Sequence, residues 1–369
     1  MDFRASESQQ LLATTARDFL RKQCPPERLD ELAGDARHAR ELWRAMAELG
    51  WTGLLIPEEL GGGDGSLLDV ILLVEEMGRV CLPGPFVDSA IVATSLLARA
   101  GSAAQRRHVL PAMARGDRVC ALALLEAGGE LAPGSMALRL DAGRLTGRKL
   151  FVRDADRADD FLVVARSDGG LSLVLVERVR AGIEVAPMPS MADERIFAVT
   201  FSRVDVGADD IVGQPGGGED ALAPALRLGA LARSAEMVGC AQRILELTVE
   251  HAKSRVQSGR PIGAFQAIQH ACADLLRGVE SARPLVHHAA WKAQQDGAEC
   301  AADVAMAKSY AGEACLAVAR KAHQIFGAIS YCDEHPLHHF HKRIVAARLA
   351  FGDPAHHQEI VARSLGLAE

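Results

Sequence analysis

Residues 254–266 read SRVQSGRPIGAFQ, and they interrupt a helical pattern that runs from residue 222 to residue 269. Before the interruption, between residues 237 and 249, apolar side chains recur at the three- and four-residue spacing of a helix packed against other helices. Gly259 and Pro261 break that helix, and a second apolar pattern follows. The stretch therefore predicts two bundle helices joined at a corner that presents arginine and polar side chains, where an anion can bind.

Composition narrows the class of protein. The 369 residues are enough for two or three packed units, and a hydrophobic content of 49% is typical of a globular chain. A net charge of -7 and a pI near 6.0 provide no bulk attraction for nucleic acid or acidic membranes, so neither partner is expected. No apolar run approaches the ~20 residues that span a bilayer. We expect no signal peptide and a cytoplasmic location.

Cysteine and histidine suggest no metal centre. The eight cysteines show no C-x-x-C pair and mostly have apolar neighbours, which is typical of reduced, buried thiols. Nine of the 13 histidines lie from residue 287 onward, and His338 and His341 would share a helix face. No cysteine or carboxylate completes a ligand spacing beside them, so we predict hydrogen-bonded or solvated imidazoles.

The hydrophobic period divides the chain into three predicted domains. Residues 1–118 follow helical periodicity. Residues 119–210 alternate with a period of two and contain hairpin turns at residues 141–143 and 167–170. Residues 211–369 are helical again, with breaks at Gly297, Gly327 and Pro336 that leave four long helices.

Several motifs carry a resemblance to one family. Residues 255–266 are similar to the R-x-Q-F-G-x-P-I-x-x-F-Q signature of acyl-CoA dehydrogenases. The stretches GWTGLLIPEELGG, EEMGR and LPAMARG in the first domain, and QIFGAISY at residues 324–331, also resemble that family. The resemblance covers nearly the whole chain. It implies an α+β fold with an N-terminal helical domain, a middle β-barrel and a C-terminal four-helix bundle.

The resemblance also implies FAD as the cofactor. The family's arginine signature holds the FAD pyrophosphate, its Q-x-x-G-G-x-G-Y motif contacts the FAD of a neighbouring subunit, and an aromatic residue of the middle domain stacks on the flavin. The residues at these positions are Arg255, Gln257, Ser258, Gln266, Gln324, Gly327 and Phe151. Ser258 replaces the usual Phe, and Ala328 replaces the second glycine of the second motif.

The middle domain departs from the family pattern near the flavin. Residues 124–127 read LLEA where the family has L-T-E-P, so a threonine hydroxyl is lost. Phe151 replaces a tryptophan, and Arg153 replaces a threonine that binds flavin N5. Stacking on the flavin can survive on Phe151. The hydrogen bond that the family's threonine makes to flavin N5 cannot survive as such at Arg153.

The catalytic base is the largest departure. Family members remove the proton alpha to the thioester with a glutamate, while the beta hydrogen leaves as hydride to the flavin. The two positions at which the family carries that glutamate fall on Gly352 and Gly229. We consider two replacements: Asp353, which adjoins the first position, and Glu236, which could be a buried carboxylate with a raised pKa.

Four interpretations remain open from the sequence. The first is FAD-dependent alpha,beta-desaturation of an acyl-CoA or acyl-carrier thioester, with a bulky acyl group suggested by the family-like GDPAHH and HPLHHFHKR stretches. The second is a catalytically incomplete subunit of a heteromeric acyl-CoA dehydrogenase. The third is a cofactor-free scaffold, and the fourth is a nitroalkane-oxidising flavoenzyme with Asp353 as base. The implied partners are an electron-transferring flavoprotein and further chains, as a homo-dimer, a homo-tetramer or a heterotetramer with a second acyl-CoA dehydrogenase chain.

Overall fold

A computed structural model describes residues 6–25, 28–29, 36–129, 131, 133–192, 194–296 and 300–367. The chain forms two compact units. One contains residues 1–34, 67–82 and 230–369, and the other contains residues 35–66 and 83–229. The predicted boundaries at residues 118 and 210 stay a prediction.

The unit of residues 35–66 and 83–229 combines short helices with one β-sheet. Its helices are α2 (Ala36–Glu48), a π-helix (Phe86–Ala93), α4 (Thr94–Ala100) and α5 (Ala103–Ala114). Its strands are β1 (Cys120–Ala123), β2 (Arg139–Asp141), β3 (Arg144–Arg153), β4 (Asp160–Ser167), β5 (Gly170–Glu177), β6 (Ile183–Met188), β7 (Ile196–Asp205) and β8 (Ile211–Val212).

The strands form a single eight-stranded sheet. Its order is β6-β7-β3-β2-β4-β5-β8, and β1 pairs in parallel with β4. The predicted β2–β3 and β4–β5 hairpins are confirmed. Ala142 and Gly143 turn the first hairpin with φ values of 49° and 71°, as a tight two-residue turn requires. Residues 161–165 of β4 are all buried, which explains their continuous apolar run. The core contains Phe161, Phe201 and the aliphatic residues around them.

The other unit is helical. It contains α1 (Glu7–Gln23), α3 (Leu67–Gly78), most of α6 (Gly218–Ser254), α7 (Gln266–Asp296), α8 (Ala301–Phe326), α9 (Leu337–Leu349) and α10 (Pro354–Ser364). The four long helices predicted after residue 211 are confirmed, and α10 is an additional short helix that the sequence analysis did not predict. The break predicted at Gly297 lies outside the described residues. Asp353 caps α10, whose first residue is Pro354.

Two glycines let α3 and α6 touch through their backbones. A Cβ at Gly78 would lie 2.2 Å from the Glu236 carbonyl oxygen, and a Cβ at Gly239 would lie 2.0 Å from the Glu75 carbonyl oxygen. No larger residue fits at either position without moving one helix. This crossing fixes Glu236 on α6 against the end of α3.

Three predictions from the sequence concern membrane-spanning helices, metal sites and the state of the cysteines. None of the described helices is both long and apolar enough to cross a bilayer. Within the described ranges, no group of three or more His, Cys, Asp or Glu side chains could hold a metal ion. All eight cysteines are free thiols; Cys332 is exposed, Cys272 is half-buried and the other six are buried.

Candidate functional site

The corner at residues 254–266 is a small β-hairpin. Helix α6 ends at Ser254, and β9 (Val256–Gln257) pairs antiparallel with β10 (Arg260–Pro261). The two residues between these strands, Ser258 and Gly259, have φ values of 52° and 76°. Positive φ at both positions is characteristic of a type I′ turn, whose twist matches that of the flanking strands. The helix break predicted from Gly and Pro is therefore an ordered turn.

The hairpin presents polar side chains to its surroundings. Arg255, Gln257, Ser258 and Gln266 are all exposed. The Ile262 amide donates to the Arg255 carbonyl oxygen at 2.8 Å, which ties the far side of the hairpin to its base. Among the described residues, no carboxylate pairs with the Arg255 guanidinium. The arrangement presents an exposed guanidinium that no described carboxylate neutralises, which suits a bound phosphate or pyrophosphate.

The second set of predicted cofactor-binding residues, Gln324 and Gly327, lies at the end of α8. Gln324 is exposed, and a Cβ at Gly327, whose φ is 73°, would meet no atom within 4 Å. Behind Gly327 the buried His323 donates from Nδ1 to Ser330 Oγ at 2.8 Å, and Ser330 Oγ donates to the Gly327 carbonyl oxygen at 2.7 Å. The His323 ring also stacks on Tyr331, with 4.6 Å between ring centroids. Sequence reasoning missed this support, because only the folded turn brings these side chains together.

Phe151 occupies an irregular point of β3. Its φ is 56°, its side chain is 42% exposed, and the register between β3 and β7 shifts between Lys149 and Val152. This is a β-bulge, which re-aims a side chain out of a regular ladder. A large aromatic residue in left-handed backbone is costly, and such outliers cluster at functional sites.

Lys149, which the sequence analysis did not identify, anchors the loop after β1 by hydrogen bonds. Its fully buried Nζ donates to the Leu124 carbonyl oxygen at 2.9 Å and to Glu126 Oε1 at 2.7 Å. Glu126 also accepts from the backbone amides of Ala137 and Leu138. Burial lowers the pKa of Lys149, and the bond to Glu126 opposes that shift. The sequence does contain a signal for this role, because Lys149 is a lysine within a strand of alternating apolar residues.

At Gly352, the predicted position of the family glutamate, a side chain would collide with two imidazoles unless they moved. Gly352 has a φ of 99°, and a Cβ there would lie 2.5 Å from His356 Cδ2 and 2.8 Å from His357 Nε2. The buried His357 donates from Nε2 to the Phe351 carbonyl oxygen at 3.0 Å. Burial, reinforced by the nearby Lys308 ammonium, lowers the pKa of His357 to about 4. Neutral imidazole therefore fills the space beside Gly352.

Asp353, one candidate base, is the N-cap of α10. Its side chain is exposed, and its Oδ1 accepts from the His356 amide at 2.8 Å. The bond satisfies one of the orphan amides at the start of the helix. Arg153, at the threonine position of the middle domain, points to Glu194, with 3.6 Å between Nε and Oε1.

Glu236, the other candidate base, is a buried ion-pair partner. Its Oε2 accepts from Arg233 at 2.8 Å and its Oε1 accepts from Arg343 at 2.9 Å. Burial alone would raise the pKa of this carboxyl, but the two guanidiniums outweigh burial and lower the pKa to about 2. The expectation of a raised pKa is therefore wrong. The sequence could not reveal that Arg343, 107 residues away, completes the pair.

Comparison with known proteins decides the family. The N-terminal domain of acyl-CoA dehydrogenases matches residues 6–117, and the C-terminal domain of acyl-CoA dehydrogenases matches residues 216–366. The chain is 32% identical to "Acyl-CoA dehydrogenase IpdE2" of Mycobacterium tuberculosis, over 91% of this chain and 91% of that protein. The chain belongs to the acyl-CoA dehydrogenase family.

Solved structures agree with this membership. The ChsE4-ChsE5 complex from Mycobacterium tuberculosis contains a chain with a TM-score of 0.91 and 29% identity, with all of both chains covered. The FAD complex of PigA has a TM-score of 0.88 and 27% identity, again over all of both chains. The predicted family, the α+β fold class, the class of oxidoreductase acting on CH–CH groups and the FAD cofactor are confirmed.

The residues of this acyl-CoA dehydrogenase fit FAD in two respects. The hairpin offers an exposed arginine that no described carboxylate neutralises, beside three exposed polar side chains. The turn at Gly327 leaves open space beside the backbone, which would allow a cofactor to approach it closely. Ala328 and Ser258, which depart from the family motifs, are both exposed.

Proposed function

We propose that the chain takes part in the FAD-dependent alpha,beta-desaturation of an acyl-CoA thioester with a bulky acyl group. The observation that carries the proposal is the rigid hairpin with its unneutralised Arg255. Arg255, Gln257, Ser258 and Gln266 would hold the pyrophosphate of FAD, and Phe151 would stack on its ring system. Gln324 and Gly327 would serve the FAD of a neighbouring chain. Bound FAD would supply the hydride acceptor for the beta hydrogen.

The proposal is tested by flavin content. The visible absorption spectrum of the purified chain, with its mass by size exclusion, should show a flavin band and an oligomer. Arg255→Gln should weaken FAD retention at least tenfold, because it removes the charge that faces the pyrophosphate. Arg277→Gln is the matched control, since Arg277 is an exposed arginine already paired with Asp274. Equal flavin loss in both variants, or none in either, would refute the assignment of Arg255.

Asp353 is the candidate base if the chain works alone. Its role as a helix cap complicates a simple deletion, because Asp353→Ala would also cost about 1 kcal/mol of cap stability. Asp353→Asn separates the two roles, since asparagine caps a helix as well as aspartate but cannot accept the alpha proton. A base predicts that both variants lose turnover. A cap alone predicts that Asp353→Asn keeps full turnover while Asp353→Ala is less stable.

A second candidate function is that of a partner subunit in a heteromeric acyl-CoA dehydrogenase. The observation that favours it is the crowding of Gly352 by two imidazoles, together with a Glu236 carboxylate already bound by two arginines. In this case a second chain would provide the glutamate, as a heterotetramer, and the lone chain should bind FAD weakly and show no turnover. Co-expression with a second acyl-CoA dehydrogenase chain should then restore both. Turnover by the lone chain would exclude this function.

Two further assignments complete the proposal. An electron-transferring flavoprotein would accept the electrons, and the enzyme would act in the cytoplasm. Turnover assayed with such a flavoprotein in place of an artificial dye tests the first. Cell fractionation tests the second.

A further inference from the structure

Lys308, on α8, is a buried lysine that closes the end of a neighbouring helix. Its side chain is 1% exposed, and its Nζ donates to the carbonyl oxygens of Ala347 at 2.6 Å and of Arg348 at 2.9 Å. Both carbonyls lie in the last turn of α9, where a helix has no amides of its own left to bind them. The ammonium therefore provides donors that the backbone of α9 cannot.

A charge buried at this place is costly. Removing an ammonium ion from water costs much more than removing a neutral polar group, and lysine is seldom fully buried unless it is paired. A glycine after the last helical residue, or an exposed side chain, commonly satisfies such carbonyls without that cost. Helices α8 and α9 are also joined at their surface, where Arg348 donates to Glu313 at 2.5 Å. Closing the helix therefore does not by itself explain a buried ammonium.

The turn that follows α9 has an unusual backbone. Phe351 and Gly352 have φ values of 55° and 99°, and left-handed backbone is strained for a phenylalanine. Such strain persists only where the surrounding structure fixes the chain. Lys308 binds two carbonyls just before the turn, and Asp353 caps α10 directly after it. The turn is therefore held at both of its ends.

His357 holds the middle of the turn, and Lys308 favours the form of His357 that does so. The neutral ring donates from Nε2 to the Phe351 carbonyl oxygen at 3.0 Å. Burial is the main cause that lowers the pKa of His357 to about 4, and repulsion from Lys308 and His356 lowers it further. The bond to Phe351 and the Asp353 carboxylate oppose that shift. Lys308 thus acts on the turn directly through α9 and indirectly through His357.

We propose that Lys308 is a positioning residue, whose buried ammonium fixes the end of α9 and thereby sets where the Asp353 carboxylate stands. The inference rests on the proposed desaturation with Asp353 as its base. Lys308 acts through the backbone of the turn and takes no proton itself. A base must come within hydrogen-bond reach of the proton that it removes, and a displacement of about 1 Å can slow such a step about 100-fold.

Hydrogen exchange of the full chain, followed by mass spectrometry of peptides that cover residues 347–358, tests the positioning without any assay of activity. Lys308→Met keeps the length of the side chain but removes its charge and its donors. The amides of Ala350 and His356, which are hydrogen-bonded on either side of the turn, should then exchange at least tenfold faster. Glu313→Gln is the matched control and should leave this exchange unchanged, because its pair with Arg348 joins the same two helices but is 55% exposed at Glu313.

Steady-state kinetics with an acyl-CoA thioester test the consequence for catalysis. In Lys308→Met, kcat should fall at least tenfold while KM stays within twofold, because the turn moves the base and not the bound thioester. Leu275→Ala, at a buried position of α7, should lower the melting temperature of the chain yet keep its kcat. Lys308→Gln, which keeps two donors without the charge, replaces Lys308→Met if circular dichroism shows that Lys308→Met does not fold.

Three results would overturn the proposal. They are unchanged exchange of the turn in a folded Lys308 variant, an unchanged kcat in a variant whose turn exchanges faster, and an equal loss of kcat in Leu275→Ala at the same loss of melting temperature. If the unmodified chain has no turnover, the proposed function fails for the lone chain. The exchange comparison then still decides whether Lys308 fixes the turn.

Discussion

Glu236 is a residue whose environment decides its chemistry. Its side chain is 7% exposed, and the Arg233 and Arg343 side chains that bind it are 5% and 10% exposed. Three charges share one buried volume, so each depends on the others for the solvation that water no longer supplies. A carboxylate with a pKa of about 2 is a weak proton acceptor, which argues for an architectural role.

We predict that Glu236→Gln lowers the free energy of unfolding by about 3–5 kcal/mol, because it leaves two buried guanidiniums without their carboxylate. Urea unfolding measures this loss. Glu280→Gln is the control, since Glu280 also pairs with an arginine but is 54% exposed, and it should cost less than about 1 kcal/mol. Unchanged stability combined with lost turnover in Glu236→Gln would instead identify Glu236 as the base.

Gly352 permits an equally direct test. We predict that Gly352→Glu does not create a working base and destabilises the chain by about 2–5 kcal/mol, from left-handed backbone and from collision with two imidazoles. Gly366→Glu separates these causes, because Gly366 has a φ of 73° with nothing within 4 Å of its Cβ. Replacing His356 and His357 with alanine beside Gly352→Glu should recover part of the lost stability. No recovery would mean that the rings do not occupy the glutamate's space.

At the scale of elements, the crossing of α3 with α6 places the ion pairs of the helical unit. Near the crossing, Glu75 of α3 accepts from Arg283 of α7 at 2.7 Å, and Arg79, the residue that follows α3, donates to Glu246 of α6 at 2.8 Å. Because the backbones nearly touch, the side chains flanking the crossing meet at hydrogen-bond distance. A helix pair held apart by one methyl group would lengthen these contacts together.

We predict that Gly239→Ala destabilises the chain by more than about 2 kcal/mol, because its Cβ would lie 2.0 Å from a backbone oxygen that cannot rotate away. Gly312→Ala is the matched helical control. Its only tight contact would be the flexible Arg348 Cγ at 3.2 Å, since Pro354 Cγ lies at an ordinary 3.5 Å, so the gain of up to about 1 kcal/mol in helix propensity should offset the contact. Guanidinium unfolding compares the two. Equal effects would mean that the α3–α6 approach is looser than described.

At the scale of the whole molecule, buried histidines link stability to pH. Burial lowers the pKa values of His323 and His357 to about 4, well below the ordinary value of 6.5. The unfolded chain therefore binds protons before the folded chain does as the pH falls. The contribution of the two neutral imidazoles to the free energy of unfolding is complete above pH 6.5 and is lost as the pH falls toward 4.

We predict that the helical unit loses about 2–3 kcal/mol per histidine between pH 6.5 and 4. Trp291 reports on this unit in a background in which Trp43 and Trp51 are phenylalanine. Replacing His323 and His357 with glutamine should reduce the dependence, to which the lowered pKa values of His251, His335 and His341 also contribute, whereas His356→Gln, at an exposed ring, should not. An unaltered slope in the double variant would contradict the assignment. Asp154, in the other unit, has a raised pKa of about 7. Its contribution to the free energy of unfolding therefore has the opposite pH dependence and falls as the pH rises toward about 7.

The sequence by itself determined the helices of the bundle, the hairpins of the sheet and the family, because these rest on local periodicity, on turn residues and on motifs that are contiguous in the chain. Gly259 and Pro261 were enough to end α6, and Asp141 to Gly143 were enough to turn a hairpin. Only the tertiary structure decided the protonation of Glu236 and the crowding of Gly352 by two imidazoles. The first depends on Arg343, which lies 107 residues away, and the second depends on how the chain folds two neighbouring imidazoles back over Gly352; no spacing along the chain encodes either.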